Sequence, residues 1–238
     1  GTLADGSDLF PFLVVGSRIS LVIGVLSVAL SSSSAASLAL TSAYYKGRVD
    51  LGMVLVSDAV MAMPQLLLLI MLTTVLRDTW ISEVYSGGFL LALIFAFTGW
   101  TYMWRSIRGP ALQVSEREWI DAARSFGQRP TTIMRKHMLP YIIGYMMVYA
   151  SMSTGGIIIG LAALSFLGNG LGINPPTPAW GRAVSLGQTY VSSQSWHISL
   201  IPGLMIVFLV TGLNAFGDGI RDAIDPESVG TEGEEAAA

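Results

Sequence analysis

Residues 115–140 read SEREWIDAARSFGQRPTTIMRKHMLP and form a long polar interruption between strongly apolar segments. The first half predicts a short helix, because Ser115 and Glu118 have the spacing of a capping box. Gly127 stands where a left-handed residue ends such a helix, and Pro130 suits the first turn of a second one. This segment, called the hairpin below, is therefore predicted to be a helix-turn-helix.

The first predicted helix of the hairpin has an apolar face and a charged face. The apolar face consists of five residues at helical spacing: Trp119, Ile120, Ala122, Ala123 and Phe126. On the charged face, Arg117 and Asp121 are four residues apart and are expected to pair. The second helix is expected to run to Leu139, where Pro140 marks its end or a kink. Because so small an apolar face cannot bury itself, the hairpin is predicted to dock on a partner.

The composition is typical of a membrane protein. The chain has 238 residues, of which 52% are hydrophobic and only 12% are charged. Soluble domains carry about twice that charged fraction. The 26 glycines fit membrane helices, where small residues allow close helix contacts. The absence of cysteine excludes disulfides and thiolate metal sites.

Five stretches are apolar and long enough to cross a membrane, which takes roughly 20 residues. They are residues 19–45, 51–76, 88–104, 141–167 and 198–217. The predicted fold is therefore an all-α, polytopic bundle of membrane helices. The Pro/Gly-rich loop after the fourth stretch is a candidate for a short re-entrant or interfacial segment.

The distribution of Lys and Arg predicts the orientation, because these residues concentrate in cytoplasmic loops. Of 13 such residues, three lie on one side of the five spans, namely Arg18, Arg77 and Arg182. The other ten (13 − 3) lie on the side of the hairpin. The hairpin and the C-terminus are therefore expected in the cytoplasm and the N-terminus outside. The chain opens without a signal sequence, so a further N-terminal span is expected to precede it.

Asp58 is the carboxylate that falls inside a predicted span. An ionisable group there is costly, which favours a role in transport. It lies about two turns from the cytoplasmic end, however, where Arg48 and its neighbours can reach it, so a structural ion pair or helix cap is the preferred interpretation and a transport role the alternative. Pro64 is expected to kink the same helix and to shape it rather than gate it.

No catalytic or metal-binding pattern emerges from the residues. His137 and His197 are predicted on opposite sides of the membrane, and neither has a ligand at the required spacing. The sequence contains no G-x-x-x-x-G-K-[ST], G-x-S-x-G or H-E-x-x-H pattern. The chain is therefore not expected to hydrolyse ATP or a peptide bond. Gly156 and Gly160 form a G-x-x-x-G pair that is a candidate helix contact.

The hairpin resembles the EAA loop of the inner-membrane permease subunits of ABC importers. That loop reads E-A-A, three residues, G, nine residues, I-x-L-P. Six residues fall on its spacing: Asp121, Ala122, Ala123, Gly127, Leu139 and Pro140. Asp121 replaces the usual Glu, and His137 takes the Ile position.

Four other stretches are similar to the second, C-type permease of the dipeptide/oligopeptide/nickel branch. GTLADGSDLF with GSRISL resembles the segment that enters the permease domain. VSDAVMAMPQLLL aligns Asp58 and Pro64 with a V-D-x-x-x-A-x-P pattern. AALSFLGNGLGINPPTPAWG and FGDGIRDAIDP resemble an outer loop and the C-terminal segment of that branch.

The resemblance implies a type I ABC importer permease fold. Five of the family's six spans lie in this chain, within a membrane domain over residues 1–226. Residues 227–238 are acidic and are expected to be disordered. Implied partners are a homologous second permease, two ATPase subunits that bind ATP and Mg²⁺, a solute-binding protein outside and the lipid bilayer of the plasma (inner) membrane. This chain itself is expected to carry no cofactor, metal, catalytic group or nucleic-acid site.

The resemblance also implies which residues couple to the ATPases. Trp119, Ala122, Ala123 and Phe126 would enter a groove on an ATPase, with Asp121 at its rim and Gly127 allowing the reversal. Glu118, Leu139 and Pro140 complete the expected coupling set. The solute stays open among dipeptides, longer peptides, nickel complexes and sugars. A secondary transporter or channel subunit is the alternative function, although no inverted repeat or midplane charge cluster supports it.

Overall fold

The computed structural model describes residues 2, 6, 8–81, 87–168, 171–173, 176–188 and 195–224. These residues contain nine α-helices and one π-helical turn. The helices are α1 Leu9–Tyr45, α2 Gly47–Met61, α3 Gln65–Leu76, α4 Gly88–Ser115, α5 Glu118–Ser125, α6 Pro130–Ile133, α7 Leu139–Leu167, α8 Trp180–Gln188 and α9 His197–Ile224, and the π turn is Met134–Met138. The predicted all-α helix bundle is therefore confirmed. The predicted disordered segment, residues 227–238, lies outside the described residues.

Three continuous helical segments are long and apolar enough to cross a membrane: Leu9–Tyr45, Pro130–Leu167 and His197–Ile224. The first begins at Leu9 rather than at residue 19, because the apolar run continues upstream and Arg18 stays on an exposed face. The predicted span 88–104 forms the first part of α4, but α4 does not meet the length and hydropathy criteria for a membrane span. Polar and aromatic residues follow its apolar start, among them Trp100, Tyr102 and Arg105.

The predicted span 51–76 is a bent pair of helices. Helices α2 and α3 meet at an angle of 84°, and together they make a fourth candidate span. The break comes at Pro64, which caps α3 with extended backbone. Proline lacks the N–H that would continue α2, and it disfavours helical geometry in the residue before it. Pro64 therefore breaks the helix, which is more than the predicted kink.

The centre of the bundle is the contact between α1 and α4, and α7 packs against both helices. Small residues on α1, including Ala35, Ala39 and Ala43, face large ones on α4, such as Trp104 and Ile107. Serine hydroxyls along α1 donate to carbonyls three or four residues earlier in the same helix. These bonds satisfy the hydroxyls that make them, which helps a serine-rich helix to fit an apolar surrounding. The buried hydroxyl of Ser32 has no partner among the described residues.

The short helix α8 closes the bundle at the end opposite the hairpin. The Nε1 group of Trp180 donates to the carbonyl oxygen of Leu13 at 2.8 Å. Gly181 approaches α7 so closely that a Cβ would fall 2.5 Å from the Cα of Ala162. The Pro/Gly-rich loop thus contains a short packed helix, and its re-entrant or interfacial position stays a prediction. Residues 174, 175 and 189–194 of this stretch lie outside the described ranges.

Candidate functional site

The start of the hairpin differs from the predicted capping box. Ser115 belongs to the last turn of α4, where its hydroxyl donates to the carbonyl of Leu112 at 2.7 Å. Helix α5 begins at Glu118, with Arg117 as the capping residue and without a side-chain cap. The capping-box prediction is wrong because α4 extends beyond the predicted span and includes Ser115 in its last turn.

The turn between the two hairpin helices follows the prediction. Gly127 has φ +69°, and its N–H donates to the carbonyl of Arg124 at 2.9 Å. The next N–H, of Gln128, donates to the carbonyl of Ala123 at 3.2 Å. Together these bonds form a Schellman motif, which terminates α5 and satisfies its last carbonyls. Pro130 then opens α6, as its position predicts.

The second half of the hairpin does not end at Pro140. Helix α6, the π turn Met134–Met138 and α7 form one continuous helical segment, and Pro140 lies inside it. Proline cannot donate the usual hydrogen bond to the fourth residue before it. The wider π turn changes the backbone pairing just ahead of Pro140, which lets the helix continue. The hairpin is therefore joined to α7 without a break.

The predicted apolar face of α5 is divided into two. Ile120 and Ala123 are buried against the bundle and anchor the helix. Trp119, Ala122 and Phe126 face outward, with 51% of Trp119 and 86% of Phe126 exposed. These three residues, at positions i, i+3 and i+7, are called the apolar ridge below. An apolar ridge on an anchored helix is a surface suited to docking.

The charges of α5 also differ from the prediction. Asp121 pairs with Arg124 at 3.1 Å rather than with Arg117. Arg117 instead lies over the ring of Trp119, with its guanidinium carbon 5.7 Å from the ring centre. Arg124 in turn lies over Tyr44, at the end of α1. The contact with Trp119 thus takes Arg117 away from the predicted i,i+4 pairing with Asp121.

The remaining predicted residues of the hairpin lie around the apolar ridge and in its second half. Glu118 is exposed beside the apolar ridge, Leu139 is half-buried and Pro140 is exposed. The Nε2 atom of His137 is 3.1 Å from the side-chain oxygen of Gln128, so the two halves of the hairpin are in contact. His197 begins α9 at the other end of the bundle. In the described ranges, no cluster of His, Cys, Asp or Glu could hold a metal ion.

An ion pair that was not predicted from the sequence joins α2 to α4. The Nε group of Arg108 donates to Asp50 at 2.7 Å, and a second guanidinium nitrogen donates to the other carboxylate oxygen. The hydroxyl of Ser42 also donates to Asp50. Nearby, Lys46 pairs with Glu116 at 3.0 Å. The signal in the sequence that could have predicted this pair was Asp50, an acidic residue in the first turn of α2.

Asp58 pairs with Arg105 of α4, not with Arg48. Both side chains are about half exposed, at 54% for Asp58 and 49% for Arg105. The structure therefore contains the ion pair of one interpretation, with a different partner.

A cavity of about 380 Å³ lies between α1, α3, α4 and α7. Its polar lining consists of Ser31, Gln65, Tyr102 and Ser153. The predicted G-x-x-x-G pair borders it. A Cβ at Gly160 would fall 2.8 Å from the ring of Phe95, whereas Gly156 has open space around it. Gly160 is thus a helix contact and Gly156 is not.

Comparison with known proteins decides the family. Residues 11–228 match the family described as binding-protein-dependent transport system inner membrane component. The chain belongs to this family. A glutathione transport system permease protein of Pectobacterium atrosepticum is 33% identical over 93% of this chain and 70% of its own length. A dipeptide transport system permease protein of Alkalihalophilus pseudofirmus is 32% identical over 95% and 71%.

Solved structures agree with the fold of the permease. The inward-facing MetNI methionine ABC transporter in its native crystal form matches with a TM-score of 0.68 at 16% identity, over 91% of this chain and 98% of the other. An amino acid ABC transporter crystallised with histidines matches with a TM-score of 0.58 at 16% identity, over 88% and 94%. With the family match and the two relatives, the chain is a multi-pass, inner-membrane permease subunit of an ABC importer. The family also confirms the predicted resemblance, and it supports the importer rather than the secondary transporter or channel.

Proposed function

We propose that this permease imports small peptides, forming the path together with a homologous second permease. Binding-protein dependence is a property of its family, so ATPase subunits and a solute-binding protein belong to its assembly. The peptide class is supported by relatives named for glutathione and dipeptide transport. The observation that carries the coupling role is the exposed apolar ridge, held on a helix whose other face is buried.

The apolar ridge is the proposed contact with an ATPase subunit. Trp119 and Phe126 supply large apolar surface, and Ala122 between them lets the helix approach a groove closely. Asp121, already paired with Arg124, and Glu118 flank the ridge and set its register through charge. Such an arrangement, with an apolar centre and a charged rim, is the usual anatomy of a protein interface.

Movement of the ATPases is transmitted because the hairpin is tied to the bundle at three places. Ile120 and Ala123 of α5 are buried against the bundle, Arg124 lies over Tyr44 of α1, and the π turn continues into α7. Displacement of α5 therefore moves the ends of α1 and α7 together. ATP-driven closure of the ATPases shifts the population between inward-facing and outward-facing states through their different binding energies.

The chemistry of ATP hydrolysis belongs to the partner subunits in this proposal, which bind ATP and Mg²⁺. The permease contributes no catalytic group and acts mechanically. Its hairpin and C-terminus face the cytoplasm, in keeping with the excess of Lys and Arg on that side. Helix α8 lies at the opposite end of the bundle, where the solute-binding protein delivers its peptide.

Reconstitution tests this function. The permease, its second permease and the ATPase subunits are purified together and placed in vesicles with the binding protein and labelled dialanine. Uptake that requires ATP and the binding protein is expected. Uptake that proceeds without ATP and follows a proton or sodium gradient would instead support a secondary transporter.

A further inference from the structure

Two ion pairs join α2 to α4, and they differ in kind. Arg108 donates hydrogen bonds to both carboxylate oxygens of Asp50. The side chain of Asp50 is only 17% exposed and also accepts a hydrogen bond from Ser42. Asp58 has a single contact with Arg105, and about half of each side chain is exposed. A bidentate, enclosed pair is suited to holding two helices together. An exposed pair with one contact contributes little to stability and can exchange partners.

Neither Asp58 nor Arg105 lines the cavity between α1, α3, α4 and α7, but both lie near residues that do. Phe95, Gly99 and Tyr102 line the cavity at helical spacing along one stripe of α4. Arg105 is three residues beyond Tyr102, so the two side chains are neighbours on α4, about 4.5 Å apart along the helix axis. Asp58 lies in the last turns of α2, just before the bend that brings Gln65 to the cavity.

The cavity itself has room and neutral polar groups for a ligand. Its volume of about 380 Å³ is within the range of small-molecule sites. The amide of Gln65 and the hydroxyls of Tyr102 and Ser153 line it and supply hydrogen-bond donors and acceptors. These groups can serve amide N–H and C=O groups, which every peptide carries whatever its side chains.

We propose that Asp58 and Arg105 form a binding site for the two charged ends of a small zwitterionic peptide. Asp58 accepts hydrogen bonds from the peptide's ammonium group, and Arg105 donates to its carboxylate, while the neutral groups of the cavity contact the amide. When the pair separates, Asp58 exchanges the cation of Arg105 for the peptide's ammonium group, and Arg105 exchanges the carboxylate of Asp58 for that of the peptide. The exchange therefore leaves no unpaired charge inside the membrane. This inference rests on the proposed peptide import and assigns the contact to this chain.

The test measures binding directly on the assembled permease–ATPase complex in nanodiscs, without the binding protein. Labelled dialanine is the probe, and N-acetyl-dialanine amide, which lacks both charges, is the competitor. Dialanine is expected to bind, and the capped peptide is expected to compete poorly. Asp58→Asn and Arg105→Gln should each weaken dialanine binding at least about tenfold, because each removes a charge-assisted hydrogen bond. Their yield and thermal stability should stay near those of the unmodified complex.

Asp50→Asn is the matched control on the neighbouring pair. It should lower the thermal stability of the complex and leave the dialanine affinity of the folded fraction unchanged. Equal competition by the capped peptide, absence of dialanine binding, or an Asp58→Asn complex that loses stability but keeps its affinity would each overturn the proposal. If the complex still assembles and hydrolyses ATP in those cases, the importer function stands and only the assigned site fails. Failure to assemble with the ATPases would contradict the function itself.

Discussion

The guanidinium carbon of Arg124 lies 4.8 Å from the ring centre of Tyr44, which joins the hairpin helix to the last turn of α1. Arg124 also holds Asp121 at 3.1 Å on the exposed side of the same helix. One arginine thus connects the outward charge of the hairpin to a long helix of the bundle. We expect Arg124→Ala to leave the permease folded but to lower uptake per ATP hydrolysed. Uptake and hydrolysis measured in the same vesicles check this, and an unchanged ratio would contradict it.

Ala122→Glu should prevent the ATPase subunits from associating with the permease. The side chain is exposed in the free permease, so folding and membrane insertion should be normal. At the proposed interface, however, the new carboxylate would be buried without a partner. Association should weaken at least about tenfold, since such burial costs more than the 1.4 kcal/mol that a tenfold change represents. Co-purification measures it, with the exposed Gln113→Glu as the control that should still associate.

Gly127→Ala should destabilise the hairpin through the backbone alone. The residue has φ +69°, and no atom lies within 4 Å of the Cβ that the change would add. Left-handed backbone costs a non-glycine residue roughly 1–2 kcal/mol, and asparagine tolerates it better than alanine. In the purified complex, proteolysis of the hairpin should therefore be fastest with alanine at position 127, slower with asparagine and slowest with the native glycine. Equal rates for all three would show that the turn does not limit stability.

A single cysteine can establish the orientation, because the chain has no cysteine of its own. Ser125→Cys on the exposed side of α5 should react with an impermeant maleimide only after the cells are opened. Gln188→Cys, at the exposed end of α8, should react in intact cells. The reverse pattern would invert the proposed topology.

Gly181→Ala should displace α8 from the bundle. The added Cβ would lie 2.5 Å from backbone atoms of Ala162, which cannot move aside as a flexible side chain can. Such overpacking typically costs about 1–3 kcal/mol, so the melting temperature of the purified permease should fall. Gly212→Ala is the matched control, because its Cβ meets nothing within 4 Å. It should be neutral or slightly stabilising, since alanine favours a helix over glycine.

The sequence predicted those parts of the hairpin that depend on neighbouring residues. The left-handed cap at Gly127 and the helix start at Pro130 were identified, because both follow from the backbone preferences of single residues. The capping box at Ser115 was wrong because its outcome depended on how far α4 extends. Of the two outcomes predicted at Pro140, an end or a kink, the end is excluded, because a π turn that no local pattern indicated carries the helix through it.

What the sequence determined by itself was the apolar content of the helices, the position of the bend at Pro64 and the reversal at Gly127. These rest on hydropathy and on the φ preferences of proline and glycine, which act within a few residues. Only the tertiary structure decided which charges meet, since Asp58 and Arg105 are 47 residues apart and Asp50 and Arg108 are 58 apart. It also decided which side of α5 is buried. That choice depends on how α1, α4 and α7 pack around Ile120 and Ala123, and it leaves Trp119 and Phe126 facing outward.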